Sequence, residues 1–325
     1  MSTKKRSPLR DFIEFLPAWL LLKTLGLLPR SAARLIGRAL ARTSYLVAGN
    51  LRRTGARNLK IALPDLSESA RRRVLVGLFD SLGNLLGEFS QFPKHTRSTI
   101  ERVVRYEGLE NYLNAAGEGR GVLLLTGHFG SWELCAFAQG LYGHPLSFLV
   151  RPLDNGLLDR LINTYREASG NSVIDKNRAV RPVMEALKHR GDVGMLIDAN
   201  TLREEGVFCD FFGFPASSTT GLAVFALRTG APVVPGFLIW DREAKTHKLI
   251  FEPEVPLIRT GDFKEDVQTN TARFTKVIEQ YARRYPEQWL WIHKRWNTRP
   301  EGETGLYDQQ EIDLRLDTPK RNVQA

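Results

Sequence analysis

The chain has 325 residues, 42% of them hydrophobic and 25% charged, with a formal net charge of +10. That is ample apolar material for one large globular domain or two modest ones. Its two cysteines, Cys135 and Cys209, exclude a disulfide framework; both stand in apolar surroundings, as free thiols in a reducing compartment do, and no Cys/His cluster has the spacing of a zinc site.

The basic character is confined to the N-terminal fifth. Residues 1–60 hold thirteen Lys and Arg, from Lys4 to Lys60, against Asp11 and Glu14 alone, and this excess more than accounts for the net charge. The stretch FIEFLPAWLLLKTLGLL (residues 12–28) is apolar, but it carries Glu14, Pro17 and Lys23. A clean spanning helix needs about 20 predominantly apolar residues, and no signal-peptide cleavage pattern follows. Arg30, Arg34, Arg38 and Arg42 come next, four apart and so on one helical face, with Leu35, Ile36, Ala39 and Leu40 on much of the rest. A basic stripe beside an apolar one predicts attachment to a membrane carrying anionic head groups, spanning or lying in its plane. The alternative is a solvated face on a core helix. Nucleic acid is not expected, because no recognition motif or basic–aromatic interleaving appears.

Residues 56–93 read as helical, with Ser67 as an N-cap. From Glu101 short apolar runs alternate with helical patterns. Strands are predicted at 122–126, 146–150, 172–174, 193–197, 233–239 and 248–251; helices are predicted at 131–141, 157–168, 178–189, 219–228 and 264–284. Strands separated by helices imply βαβ units, hence an α/β fold with a mostly parallel sheet flanked by helices. The stretch 301–325 is polar and is expected to be a frayed or disordered tail.

GVLLLTGHFGSWELCAFAQG (residues 121–140) carries the chemistry. His128 follows a predicted strand and a glycine, at the carboxyl edge where open α/β sheets place ligands. Glu133 lies five residues on, in the first turn of a helix that Ser131 caps. A carboxylate on one ring nitrogen would fix the tautomer and leave the other nitrogen free to take a proton from a hydroxyl. The spacing alone is weak: it recurs at His247/Glu252, where a strand would point the two side chains to opposite faces. A satisfied buried histidine is the bland alternative. No nucleophile elbow, P-loop or HExxH motif is present.

TGHFGSWE resembles the H-x4-D/E signature of the lysophospholipid acyltransferase superfamily, and the chain is most similar to the late acyltransferases of bacterial lipid A biosynthesis. RRTGARNLKIALPDLS, GEFSQFP, FLVRPLDN, GMLIDAN, GVFCDFFGFPASSTTGLAVFALRTGAPVVPGF and PEQWLWIHKRWNTRP resemble that family's blocks in order, over nearly the whole chain. The resemblance implies a glycerolipid acyltransferase-like fold (residues 61–300) behind a membrane-associated helical segment (1–60), at the cytoplasmic face of the inner membrane. It implies His128 as general base and Glu133 as its orienter, with neither metal nor cofactor. The acyl donor would be a thioester of acyl carrier protein, and the acceptor an anionic glycolipid hydroxyl.

Arg151 and Asp198, each at the end of a predicted strand, are expected at the substrate, Asp198 as a second acid near the site that positions the acceptor or polarises the His128–Glu133 pair, with Arg178, Arg181 and Thr219 as further candidates. For Arg151 the alternative is an ion pair with Asp154, and for Asp198 a cap or turn. Ala199 stands where members of the family often carry Gln. Three other readings stay open: transfer to a different lipid acceptor, a lipid-binding protein without turnover, or a hydrolase in which water replaces the acceptor hydroxyl.

Overall fold

The computed structural model describes residues 6–307. Four helices come first: α1 (Pro8–Leu27), α2 (Arg30–Val47), α3 (Gly49–Ala62) and α4 (Glu68–Ser90), followed by the short α5 (Arg97–Ile100). The alternating part runs β1 (Val104–Glu107), α6 (Leu109–Gly117), β2 (Leu123–Thr126), α7 (Trp132–Leu141), β3 (Leu146–Val150), α8 (Gly156–Glu167), β4 (Ser172–Asp175), α9 (Val180–Lys188) and β5 (Asp192–Leu196). It continues with β6 (Gly206–Phe211), β7 (Phe214–Thr219), α10 (Gly221–Thr229), β8 (Val233–Asp241), β9 (Thr246–Phe251) and α11 (Phe263–Arg284).

Seven strands form one sheet in the order β1-β9-β8-β2-β5-β3-β4. Strands β8, β2, β5, β3 and β4 are mutually parallel; β9 is antiparallel to β8, and β1 follows β9. The expected α/β architecture is therefore present, with an antiparallel margin that sequence reasoning did not foresee. Strand β2 lies at the centre and is apolar on both faces. Leu123 and Leu125 join one core cluster, with α9, α10 and α11; Val122 and Leu124 join the other, with α6 and α7.

The β6–β7 hairpin was also unforeseen. Phe211 pairs with Phe214 across a two-residue turn in which Phe212 and Gly213 have φ of 59° and 81°. That is the primed turn favoured by strand twist, but with phenylalanine where asparagine or aspartate usually signals it. Thr219, expected to begin a helix, ends β7 instead. The Ser67 cap is as expected, its Oγ accepting from the Ala70 amide at 3.2 Å.

The N-terminal helices are part of the same body. A cut at residue 60 falls inside α3. Helix α2 lies on α4 at the closest approach backbones allow: a Cβ added at Gly37 would stand 2.2 Å from the Gly83 carbonyl oxygen, and one at Gly87 2.7 Å from the Arg34 Cα. Beneath this seam Glu88 is fully buried. Arg30 donates to it through Nε (2.8 Å) and Nη2 (2.6 Å), and His247 Nε2 of β9 lies 3.0 Å away. Burial alone would raise the Glu88 carboxyl, but His247 and Arg30 outweigh it and hold it down to about 2.

Three of the four arginines expected to face an acidic surface are thus engaged internally: Arg30 on Glu88, Arg42 on Asp80 (2.7 and 2.8 Å), and Arg34 over the Trp240 ring at 3.7 Å. The apolar stripes remain outside. Leu9, Phe12, Ile13, Leu16 and Leu20 of α1, and Leu35, Ile36 and Leu40 of α2, are exposed. No helix among the described residues is long and apolar enough to cross a membrane. Of the polar tail, residues 301–307 pack on the body, where Leu306 is buried and the Tyr307 hydroxyl bonds Asn58 Oδ1 at 2.8 Å. The rest of the tail, with Lys4 and Lys5, lies outside the described residues.

Candidate active site

Strand register assembles the site. Thr126 of β2 pairs with Leu196 of β5, so the residues two beyond each strand end, His128 and Asp198, come side by side. His128 Nδ1 donates to Asp198 Oδ1 at 2.8 Å, and the His128 amide donates to Oδ2 at 2.8 Å. Gly127 is what permits this approach, since a Cβ there would stand 2.9 Å from Asp198 Oδ2. The segment after α11 folds across the same turn. The Leu290 amide donates to the His128 carbonyl at 3.2 Å, and Trp289 Nε1 donates to Asp198 Oδ2 at 2.8 Å.

The Asp198 side chain is 2% exposed and the His128 side chain 28%. Burial pushes the Asp198 carboxyl up, but the His128 charge and three donors overcome it and hold the group down to about 2. Burial likewise opposes the imidazolium of His128. The Asp198 carboxylate, by charge and hydrogen bond, and then the Glu133 charge, outweigh this, so the imidazole lies above its ordinary value of 6.5. With Nδ1–H given to Asp198, Nε2 keeps a free lone pair. His293 lies nearby, its Nε2 accepting from the Asn200 amide at 2.8 Å, and burial lowers it.

The His128 ring opens on a cavity of about 470 Å3. Its walls are mostly apolar, with Leu146, Phe148, Leu149, Ile162, Leu196 and Phe251 among them. It reaches the central strands at Leu124, where Gly194 of β5 and Gly236 of β8 leave space on either side. Cys135 also lines it, and burial pushes that thiol up to about 12, so it is no nucleophile.

The site differs from the sequence expectations in several places. Glu133 lines the cavity with His128, but the carboxylate on Nδ1 is that of Asp198. Glu133 is instead clamped by Arg166 of α8, Nε to Oε2 at 2.9 Å and Nη2 to Oε1 at 2.6 Å. The reason is geometric: a helix start five residues on points its acid towards α8, whereas the neighbouring strand delivers Asp198 directly. Asp198, expected either to position the acceptor or to polarise the pair, sits behind the histidine with its hydrogen bonds directed inward, as the second role requires. Arg151 is at the cavity rim, 72% exposed, with Asp154 Oδ1 3.8 Å away. Arg178 and Arg181 are exposed and do not line the cavity; Lys176 does. Thr219 is also outside it, accepting from the Gly221 amide at 3.5 Å. Trp289, Arg166 and His293 were not foreseen as site residues. Trp289 is buried in the core and also bonds Asp198.

The sequence profile of bacterial lipid A biosynthesis acyltransferases matches residues 2–298. The chain belongs to that family. It is 32% identical to the lipid A biosynthesis lauroyltransferase of Escherichia coli K12 over 255 residues, covering 77% of this chain and 80% of the relative. It is 30% identical to the palmitoleoyltransferase of the same organism over 252 residues, with the same coverage. The corresponding myristoyltransferase is 24% identical over 262 residues, 80% of each chain. This lipid A acyltransferase family member is therefore an acyltransferase, and its conformation at His128 can be read for that reaction.

Proposed function

We propose that the protein transfers a fatty acyl group from an acyl carrier protein thioester to a hydroxyl of a lipid A precursor, at the cytoplasmic face of the inner membrane. The observation that carries this is the His128–Asp198 pair, its free Nε2 at the wall of a mostly apolar cavity of about 470 Å3. The acyl chain lies in the cavity with its thioester carbonyl near His128. Nε2 takes the proton of the acceptor hydroxyl as its oxygen attacks the carbonyl carbon. The C–O bond forms, the C–S bond breaks, and the imidazolium returns its proton to the departing sulfur. Asp198 holds the tautomer and stabilises the transient imidazolium, which has no other carboxylate on Nδ1. Arg151 and Lys176 at the rim suit an anionic acceptor or the acidic carrier.

Membrane attachment is supported by the exposed stripes of α1 and α2, whose outer faces are leucine, isoleucine and phenylalanine. Such helices lie in the interface rather than cross it. The reaction is tested with detergent-purified wild type and His128→Ala, given carrier-bound acyl thioesters and a Gram-negative lipid extract, with products read by mass spectrometry. An acylated glycolipid from wild type only is the expected result. Full activity in His128→Ala would remove the mechanism, and release of free fatty acid alone would make the protein a hydrolase.

A further inference from the structure

A second cavity, of about 480 Å3, lies between α2, α4 and the β8–β9 hairpin. Nothing in the reaction above uses it. It is lined by Arg34 and Arg38 of α2, Asn84 of α4, and Trp240, Arg242 and Lys245 of the hairpin. Its two acids are already matched: Asp80 receives both Nε and Nη2 of Arg42, and Glu287 is paired with Arg242. Arg38 and Lys245 have no ion pair or hydrogen bond among the described residues. Arg34 is held in place, its side chain 11% exposed, stacked on Trp240, with Nε bonded to Asn84 Oδ1 at 3.3 Å and paired with Glu88 Oε1 at 3.4 Å. A preorganised guanidinium, two unmatched cations and neutral donors converge on one concave space.

Position narrows the ligand. On α2, at 100° per residue, Arg34 and Arg38 border the arc that Leu35, Ile36 and Leu40 present outward. With that arc in the acyl boundary of a bilayer, the cavity stands at head-group depth. The group that such depth and such donors fit is a phosphate: compact, up to doubly charged, and rich in acceptor oxygens. We propose that this cavity is a binding site for the phosphate of a membrane lipid head group. The inference rests on the interfacial placement of α2 proposed above. The phosphate could belong to a phosphorylated sugar lipid or to a glycerophospholipid.

Two probes separate these sources and also separate the site from the membrane reading. Full-length protein in detergent is titrated calorimetrically with glucosamine 1-phosphate and with glucosamine. Flotation is then measured with phosphatidylcholine vesicles, with and without phosphatidic acid. The test variant is Arg38→Ala/Lys245→Ala, which removes two cations that line the cavity without an ion pair or hydrogen bond among the described residues; Lys188→Ala/Arg190→Ala removes the same charge elsewhere. The test variant is expected to weaken phosphate binding by about tenfold, the loss of one strong charge-assisted contact, while the control does not. Sugar-phosphate binding lost in the variant assigns a phosphorylated sugar lipid, even if no vesicle floats the protein. A phosphatidic acid preference lost in the variant, without sugar-phosphate binding, assigns a glycerophospholipid. If wild type binds neither probe, or the variant matches wild type with both, the proposal is overturned.

Discussion

Replacing Asp198 with asparagine tests the central geometry, because the structure dictates which way the amide turns. Asp198 Oδ2 accepts two N–H groups, from the His128 backbone and the Trp289 ring, each at 2.8 Å. Only an oxygen can stay there, so the new NH2 must face His128 Nδ1. That nitrogen then accepts, the ring proton moves to Nε2, and Nε2 can no longer take a proton from the acceptor. In hydrolases with the same histidine–carboxylate arrangement this change costs about four orders of magnitude; a loss of about 10^3–10^4 in kcat, or about 4–5.5 kcal/mol, is expected here. The pH profile moves as well. In wild type the raised imidazole sets an acid limb above 6.5, activity rising as pH climbs through it. Without the Asp198 charge burial is less opposed, so the limb moves down. The assay is kcat/KM for acyl transfer from about pH 5 to pH 9, with circular dichroism confirming the fold. A folded variant with more than about a tenth of wild-type activity and an unmoved limb would refute the reasoning.

Two further outcomes follow from the cavity. Arg166→Gln releases Glu133, whose charge already favours the His128 imidazolium, so the acid limb is expected to move up, by up to about one unit, opposite to the shift in Asp198→Asn. A downward shift would show that Arg166 acts on His128 by another route. Gly194→Val fills the inner cavity, where an added Cβ would lie 3.2 Å from Leu146 Cδ1 and 3.7 Å from Phe148 Cβ. Each methylene kept out forfeits about 0.8 kcal/mol, so competing thioesters of mixed length should shift towards shorter chains by about fourfold per carbon. Unchanged chain length with retained activity would place the acyl group elsewhere.

The parallel half of the sheet was legible because its strands are apolar runs between amphipathic helices, and β3 matches its expected bounds at Leu146–Val150. The departures have physical causes. Strand β1, VRYE, is four residues long and mostly polar, because it sits at the sheet margin. The β6–β7 hairpin turns on Phe212–Gly213, and its aromatic residues show no clean alternation. At the site His128 could be found from the strand–Gly–His junction, since everything it needs is local. Asp198 was legible only as a second acid near the site, not as the carboxylate on Nδ1. Asp198 meets His128 only because β5 lies beside β2 and in register with it, and sheet order is not encoded in spacing. Trp289 arrives from still further along the chain.

Buried Glu88 has a consequence for how the N-terminal helices are joined to the catalytic sheet. It is gripped by Arg30 on one side and stands against His247, from within the catalytic sheet, on the other. Deleting the first helices to obtain a shorter catalytic fragment would strip Glu88 of its guanidinium and bare the glycine seam of α4. The N-terminal helices are therefore not a tether paid out on a flexible cord. They are a keel: on the proposed interfacial placement, whatever tilt they take is transmitted rigidly to the mouth of the cavity. On that proposal the angle at which an acceptor must rise from the bilayer to reach His128 is a fixed property of the fold.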